Sequence, residues 1–331
     1  MTVRVGINGF GRIGRTYLRA ALERGEDVEI VAVNDIAPAA TLAHLLEYDS
    51  TFGRLGREVG HDDRSITVDG RRIAVTAERD PAALRWGELG VELVVESTGR
   101  FRDRDSAALH LKAGARGVLL SAPGKGVDAT IVMGVNDGAY DREHDRIVSA
   151  ASCTTNCVAP MVKVLDDAFG VERGMLTTVH GYTNDQSLLD GPHKDLRRAR
   201  SAALSIIPTG TGAARAVGLV LPELAGMLAG IAVRVPVEDG SLSDLTAVLQ
   251  RPVTRDEVND AFETAAQGPL RGVLRVSHAP IVSRDVIGDP ASCVVDPALT
   301  QVGGTLAKVF GWYDNEWGYS NRLLDLTRLM A

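Results

Sequence analysis

Short apolar runs alternate with segments of helical periodicity through the first half of the chain. Val3-Arg4-Val5-Gly6-Ile7 has the pattern of a buried strand, and Ile13, Tyr17, Ala21 and Leu22 then fall on one face of a helix. Val28-Glu29-Ile30-Val31-Ala32-Val33 predicts a second strand ending at Asn34-Asp35. A helix is expected over 41–48. Residues 64–68 and 71–75 flank Asp69-Gly70, a dipeptide suited to a tight hairpin. The run at 91–95 leads to Ser97-Thr98-Gly99, a helix is expected over 105–115, and the strand at 117–120 ends at Ser121-Ala122-Pro123. Strand and helix in alternation predict an α/β fold with a doubly wound sheet. In the second half, strands are expected at 146–150, 174–180, 231–237, 242–249, 275–282, 292–295 and 305–313. Helices are expected at 158–169, at 254–267 and from about 320 to Met330.

Composition narrows the class. A chain of 331 residues has the length of about two domains, and 45% hydrophobic with 24% charged residues is the balance of a folded globular protein. No apolar run approaches the ~18 residues that span a bilayer. Met1-Thr2-Val3-Arg4-Val5 enters a strand pattern without the charged and apolar regions of a secretion signal. Three cysteines do not make a disulfide framework, and a cytoplasmic location is expected. The net charge of −7 argues against nucleic acid as a partner.

Candidate chemistry sits at the ends of the strands. Gly9, Gly11 and Gly14 form a GxGxxG between the first strand and the first helix, with Asp35 at the end of the second strand. In that context the glycines allow a pyrophosphate to approach the backbone at a helix N-terminus, and the carboxylate accepts hydrogen bonds from a ribose. NAD is therefore expected, and a 2′-phosphate would be repelled. Ser97, Thr98 and Ser121 lie at strand ends on the same side.

Ala151-Ser152-Cys153-Thr154-Thr155-Asn156-Cys157 lies between a strand and a helix. Cys153 is thus placed at a helix N-terminus, where a thiolate is favoured. His180 ends a predicted strand; paired with Cys153 it would give thiolate–imidazolium character and serve as acid and base. Cys157 reads as helix core, and no metal site is expected because no further Cys or His has zinc-ligand spacing. The charged run 193–200 has the composition of a solvated face. Pro208-Thr209-Gly210-Thr211-Gly212 reads as a small polar loop suited to phosphate, and Arg234 inside an apolar strand is either a buried ion pair or an anion receptor.

Several motifs together resemble phosphorylating glyceraldehyde-3-phosphate dehydrogenase over nearly the whole chain. They are residues 6–15 (GINGFGRIGR), 152–157 (SCTTNC), 180–186 (HGYTNDQ), 195–200 (DLRRAR) and 312–316 (WYDNE). The resemblance implies a Rossmann-type NAD-binding domain over 1–151, an α+β catalytic domain with a mainly antiparallel sheet over 152–314, and a helix at 315–331 that packs back on the first domain. It also implies a homotetramer. Matched residue by residue, Cys153 is the nucleophile and His180 the base. Ser152, Thr154, Thr211, Gly212 and Arg234 hold phosphate, and Thr183 and Arg198 form a second anion site. Arg12, Ile13, Asp35, Arg79 and Ser121 contact NAD, as do the glycines 9, 11 and 14; Asn315 orients the nicotinamide carboxamide, and Tyr319 lies against the ring. The implied substrates are glyceraldehyde 3-phosphate and inorganic phosphate, with erythrose-4-phosphate dehydrogenase as the nearest alternative and a non-catalytic binding protein as a more distant one. The chain departs from the family pattern at Gly181, Gly191, Gly210 and Glu238-Asp239-Gly240.

Overall fold

The computed structural model describes residues 2–25 and 27–331. The chain divides into two compact units. The first takes the residues up to Ile131, Gly138–Ala151 and Ser320–Ala331; the second takes Val132–Asp137 and Ser152–Tyr319.

The first unit contains strands β1 (Val3–Asn8), β2 (Val28–Asn34), β3 (Tyr48–Asp49), β4 (Gly53–Arg54), β5 (Val59–Asp62), β6 (Ser65–Val68), β7 (Arg71–Thr76), β8 (Leu93–Glu96), β9 (Gly117–Leu120), β10 (Ala129–Thr130) and β11 (Ile147–Ser149). Its helices are α1 (Arg12–Arg24), α2 (Ala39–Glu47) and α3 (Arg104–Lys112). Nine strands form one sheet in the order β10-β11-β9-β8-β1-β2-β7-β6-β5. β1 pairs in parallel with β2 on one side and β8 on the other, so the strand order reverses there. This is the point at which an open α/β sheet leaves a crevice beyond its strand ends. The β6–β7 hairpin is antiparallel, and both of its turn residues take the left-handed conformation, Asp69 at φ 48° and Gly70 at φ 76°. That is the turn geometry a two-residue hairpin favours.

The second unit contains α4 (Cys153–Phe169), β12 (Val171–Gly181), β13 (Ile207–Gly210), α5 (Ala213–Val220), β14 (Leu228–Val235), β15 (Ser241–Leu249), α6 (Arg255–Gln267), β16 (Leu274–Val276), β17 (Cys293–Val295), β18 (Gln301–Gly303) and β19 (Leu306–Tyr313). Its sheet runs β13-β14-β12-β15-β19-β17-β16, with β18 paired to β19. Most pairings are antiparallel; β12 with β14 and β16 with β17 are parallel. Two expectations change here. Ile207–Gly210, read as loop, is an edge strand on β14, a place that tolerates the missing N–H of Pro208. The strand expected at 275–282 stops at Val276, well before Pro280.

One face of this sheet packs on helices. Along β15, Ser241, Ser243, Leu245, Ala247 and Leu249 are buried in strict alternation. Where α4 crosses the sheet, the sulfurs of Cys157, Met161 and Cys293 surround Gly311: a Cβ at that residue would lie 2.6 Å from Cys293 Sγ and 2.7 Å from Met161 Sδ. Cys157 is fully buried, as its reading as helix core requires. The opposite face leaves Met175 and Ile231, on adjacent strands, 72% and 50% exposed.

The last helix, α7 (Trp317–Met330), contributes its residues from Ser320 onward to the first unit. There Tyr17 Oη and Thr327 Oγ1 share a 2.8 Å hydrogen bond, and Arg24 pairs with Asp325 at 2.7 Å.

Candidate active site

In the first unit, the turn from β1 into α1 is held by close packing. A Cβ on Gly9, at φ 91°, would lie 2.7 Å from Thr98 N, and one on Gly14 would lie 2.3 Å from Gly9 O. Gly14 therefore sets the contact between helix and strand. Asp35 closes the turn from outside: its carboxylate accepts the Phe10 N–H at 2.8 Å and the Ala37 N–H at 3.0 Å. Gly9, Gly11, Asp35, Arg79, Ser97 and Thr98 line a cleft of about 270 Å³ at the carboxyl ends of the strands. Arg12 ion-pairs with Asp49 at 2.6 Å, and Ile13 is half-buried in the first turn of α1. Neither lines that cleft, and nor does Ser121, whose N–H is taken by Glu96 O.

A buried polar chain, with no local signal in the sequence, underlies the cleft. Trp86 Nε1–H donates to His110 Nδ1 at 3.0 Å, so His110 Nε2 carries the proton and donates to Glu96 at 3.1 Å. Glu96 in turn accepts from Asn8 at 2.5 Å and Thr98 N–H at 2.8 Å. A second cavity, of about 640 Å³, opens at the opposite ends of the strands beside Arg116, Arg142 and Arg146, and no predicted residue lines it.

In the second unit Cys153 is the first residue of α4, and Ser152 caps the helix by accepting the Thr155 N–H at 3.0 Å. The preceding Ala151 takes φ 55°, a conformation uncommon outside glycine and typical of residues that aim a functional side chain. His180, 4% exposed, lies near the end of β12 with Nε2 3.5 Å from Cys153 Sγ. Its Nδ1–H donates to Gly181 O at 2.7 Å, which leaves Nε2 as the acceptor facing the thiol. Burial pushes the Cys153 thiol up to about 11, against a smaller downward pull from the Arg234 charge. Burial, and then Arg234, push His180 down to about 3. Both shifts run toward the neutral forms, thiol and imidazole. Desolvation thus opposes the expected thiolate–imidazolium, while the Arg234 charge favours the thiolate and disfavours the imidazolium.

Arg234, on β14, donates through Nη1 to Gly181 O at 3.0 Å and Thr183 Oγ1 at 3.1 Å. Its Nε is buried without a hydrogen-bond partner, and no ion pair engages it among the described residues. A buried guanidinium nitrogen without a partner is costly unless an anion completes it, which is the arrangement the receptor reading requires. Asp185 joins the cluster, accepting from Thr183 and, at 2.6 Å, from Arg198; sequence reasoning missed it. Arg198 also donates to Thr209 Oγ1 at 2.9 Å. The expected solvated run at 193–200 thus contributes one half-buried arginine that works inward.

The remaining predicted residues are spread more widely. Thr154 shares a hydrogen bond with Tyr313 Oη at 2.9 Å. Thr211 Oγ1 accepts the Ala213 N–H at 3.2 Å at the start of α5, where Gly212 is the cap. Asn315 and Tyr319 are buried. Among the described residues no group of His, Cys, Asp or Glu is arranged to hold a metal, and no helix is long and apolar enough to cross a membrane.

Residues 3–104 match the family model described as glyceraldehyde 3-phosphate dehydrogenase, NAD binding domain, and residues 152–315 match the corresponding C-terminal domain. The chain belongs to the glyceraldehyde-3-phosphate dehydrogenase family. It is 61% identical to glyceraldehyde-3-phosphate dehydrogenase of Streptomyces coelicolor, with 99% of this chain and 98% of that one covered. Identity to the enzyme of that name from Geobacillus stearothermophilus is 58%, with 100% and 99% covered. For the Mycobacterium avium enzyme it is 56%, with the same coverage. As a glyceraldehyde-3-phosphate dehydrogenase family member the chain is an NAD-dependent dehydrogenase, and the crevice at the strand-order reversal of the first unit fits that cofactor. The parallel-rich first sheet and mostly antiparallel second sheet are those the resemblance implies.

Proposed function

We propose that the chain oxidises glyceraldehyde 3-phosphate to 1,3-bisphosphoglycerate, taking up inorganic phosphate. The observation that carries this reading is the Cys153–His180 pair beside the partnerless Arg234 Nε. Cys153 Sγ attacks the aldehyde carbon while His180 Nε2 takes the thiol proton, giving the thiohemiacetal alkoxide and an imidazolium. Attack through a neutral thiol needs this proton transfer, and the 3.5 Å contact supplies it. N–H groups at the start of α4 hold the oxyanion. NAD, when bound, supplies the hydride acceptor that turns the thiohemiacetal into a thioester. His180 returns its proton to the alkoxide, making the hydroxyl, and takes it back as the hydride leaves; phosphate then attacks the thioester carbon, and the departing Cys153 sulfur recovers the proton from His180.

Ser152, Thr154, Thr211, Gly212 and Arg234 form one anion pocket, and Thr183 and Arg198 form the other, with Arg234 reaching across to Thr183 Oγ1 at 3.1 Å. Two pockets suit a reaction in which two phosphates are present together. Gly9, Gly11, Arg12, Ile13, Gly14, Asp35, Arg79 and Ser121 hold the dinucleotide, and Asn315 and Tyr319 hold the nicotinamide. The exposed apolar face around Met175 and Ile231 supports a homotetramer, and three free cysteines accord with a cytoplasmic enzyme. The test follows NADH absorbance with glyceraldehyde 3-phosphate, with and without phosphate, and with erythrose 4-phosphate in its place. Phosphate-dependent NADH formation with a strong preference for the triose is expected, and Cys153→Ser should lower turnover at least about 10³-fold. Turnover near the unmodified level in Cys153→Ser would sink the reading.

A further inference from the structure

Two departures from the family pattern, Gly181 and Glu238-Asp239-Gly240, lie more than fifty residues apart in sequence and meet in the second unit. Tyr182 N–H donates to Val237 O at 3.0 Å. A Cβ on Gly181 would lie 3.0 Å from Val237 O and 3.3 Å from Asp239 N, so the absent side chain is what lets the turn come this close. The turn is tight on its other side as well, because a Cβ on Gly240 would overlap Ser283 O.

Two side chains from this turn hold Asn315. Asp239 Oδ1 accepts the Asn315 N–H at 3.1 Å and the Gly240 N–H at 2.8 Å. Ser241 Oγ, fully buried, lies 2.5 Å from Asn315 Oδ1 and accepts the Gly181 N–H at 3.2 Å. A carboxamide oxygen only accepts, so the Ser241 proton points at Oδ1. An asparagine amide has two orientations related by a half-turn, and a donor fixed on Oδ1 selects one of them. The Nδ2 end is then left to donate to a ligand oxygen. Asp314, which accepts the N–H groups of Gly288, Glu316 and Trp317, fixes the backbone on both sides of Asn315. Burial, and then the Asp314 charge, push the Asp239 carboxyl upward, toward its neutral form.

We propose that the Asp239–Gly240–Ser241 turn is the positioning element for Asn315, with Ser241 selecting the amide orientation that presents Nδ2 to the carboxamide oxygen of the nicotinamide. Through Gly181, the same hydroxyl ties that choice to the strand end that carries His180. Ser241 is thus a positioning residue, acting on the cofactor only through Asn315. The inference rests on the reading of Asn315 as a nicotinamide contact.

The test is a double-mutant cycle in the full-length enzyme with Ser241→Ala, Asn315→Ala and the two combined. Deuteride transfer from 1-deuterated aldehyde is followed by proton NMR of the reduced cofactor, and circular dichroism checks folding. Ser241→Ala should raise KM for NAD about tenfold, the size of one lost hydrogen bond, and spread deuterium over both faces of the ring. In the Asn315→Ala background the same change should add less than about twofold. An equal effect in both backgrounds, or deuterium confined to one face in Ser241→Ala, would overturn the proposal. An Asn315→Ala enzyme with unchanged KM for NAD would overturn the underlying assignment of Asn315 instead. If Ser241→Ala does not fold, Ser241→Cys, which keeps the size and weakens the donor, is read by the same criteria.

Discussion

At Cys153 two influences oppose each other. The N-terminus of α4 favours negative charge on sulfur, and burial disfavours it; burial is the larger influence on both groups, raising the thiol and lowering the imidazole. The proposed base, His180, then needs no prior deprotonation, which makes the pH dependence diagnostic. His180 has a folded value near 3, below the ordinary 6.5, so its basic form persists as pH falls through 6. The acid limb of kcat/KM, which reports the free enzyme, should lie well below pH 6. Arg234 is the second cause of the depression, so Arg234→Leu should move that limb upward as its positive charge is removed. A pH–rate profile of both enzymes checks this, and an unmoved limb would separate Arg234 from His180. The linked stability has a definite sign. A histidine kept neutral when folded stabilises the fold fully above about 6.5, and that contribution is lost as pH falls from there toward 3.

At the scale of elements, α4 must bring Cys153 to the ends of β12 and β14, and it does so by lying close on the sheet. Gly311 permits the approach. Gly311→Ala would push a methyl into the three sulfurs of Cys157, Met161 and Cys293, and should lower unfolding stability by about 1–3 kcal/mol. Urea denaturation measures it; unchanged stability would mean that α4 can shift without cost. The apolar periodicity made α4 visible from the sequence, and the hairpin was readable from Asp69-Gly70, because those signals are local. The edge strand Ile207–Gly210 was not readable, since Pro208 and two glycines nearby are turn signals that only pairing with β14 overrides. The glycine turn, Asp35, Cys153 and His180 stand out as candidates in the sequence because each sits at the end of a recognisable strand or helix. Asp185 and Ser241 do not. Their roles come from partners 13 and 74 residues away, and an aspartate or serine in a polar stretch carries no signal of such a contact.

At the scale of the whole molecule, the sheet of the second unit has a face that its own helices do not cover. Met175 and Ile231 stand exposed on adjacent strands, and Lys308 and Asp244 on the same sheet pair at 2.6 Å, so their charges cancel within one chain. A face with apolar side chains and internally balanced charge suits a second copy of itself, because a two-fold axis then sets like against like without repulsion. The chain as a whole carries −7, which would disfavour self-association through a charged surface. The assembly should therefore depend on this apolar face. Light scattering is expected to give about four times the 35.2 kDa of one chain for the unmodified protein. Met175→Glu combined with Ile231→Glu places like carboxylates opposite one another across the contact and should reduce the assembled mass, while the fold persists because neither side chain is buried in the single chain. A four-chain mass retained in the double variant would show that the contact lies elsewhere.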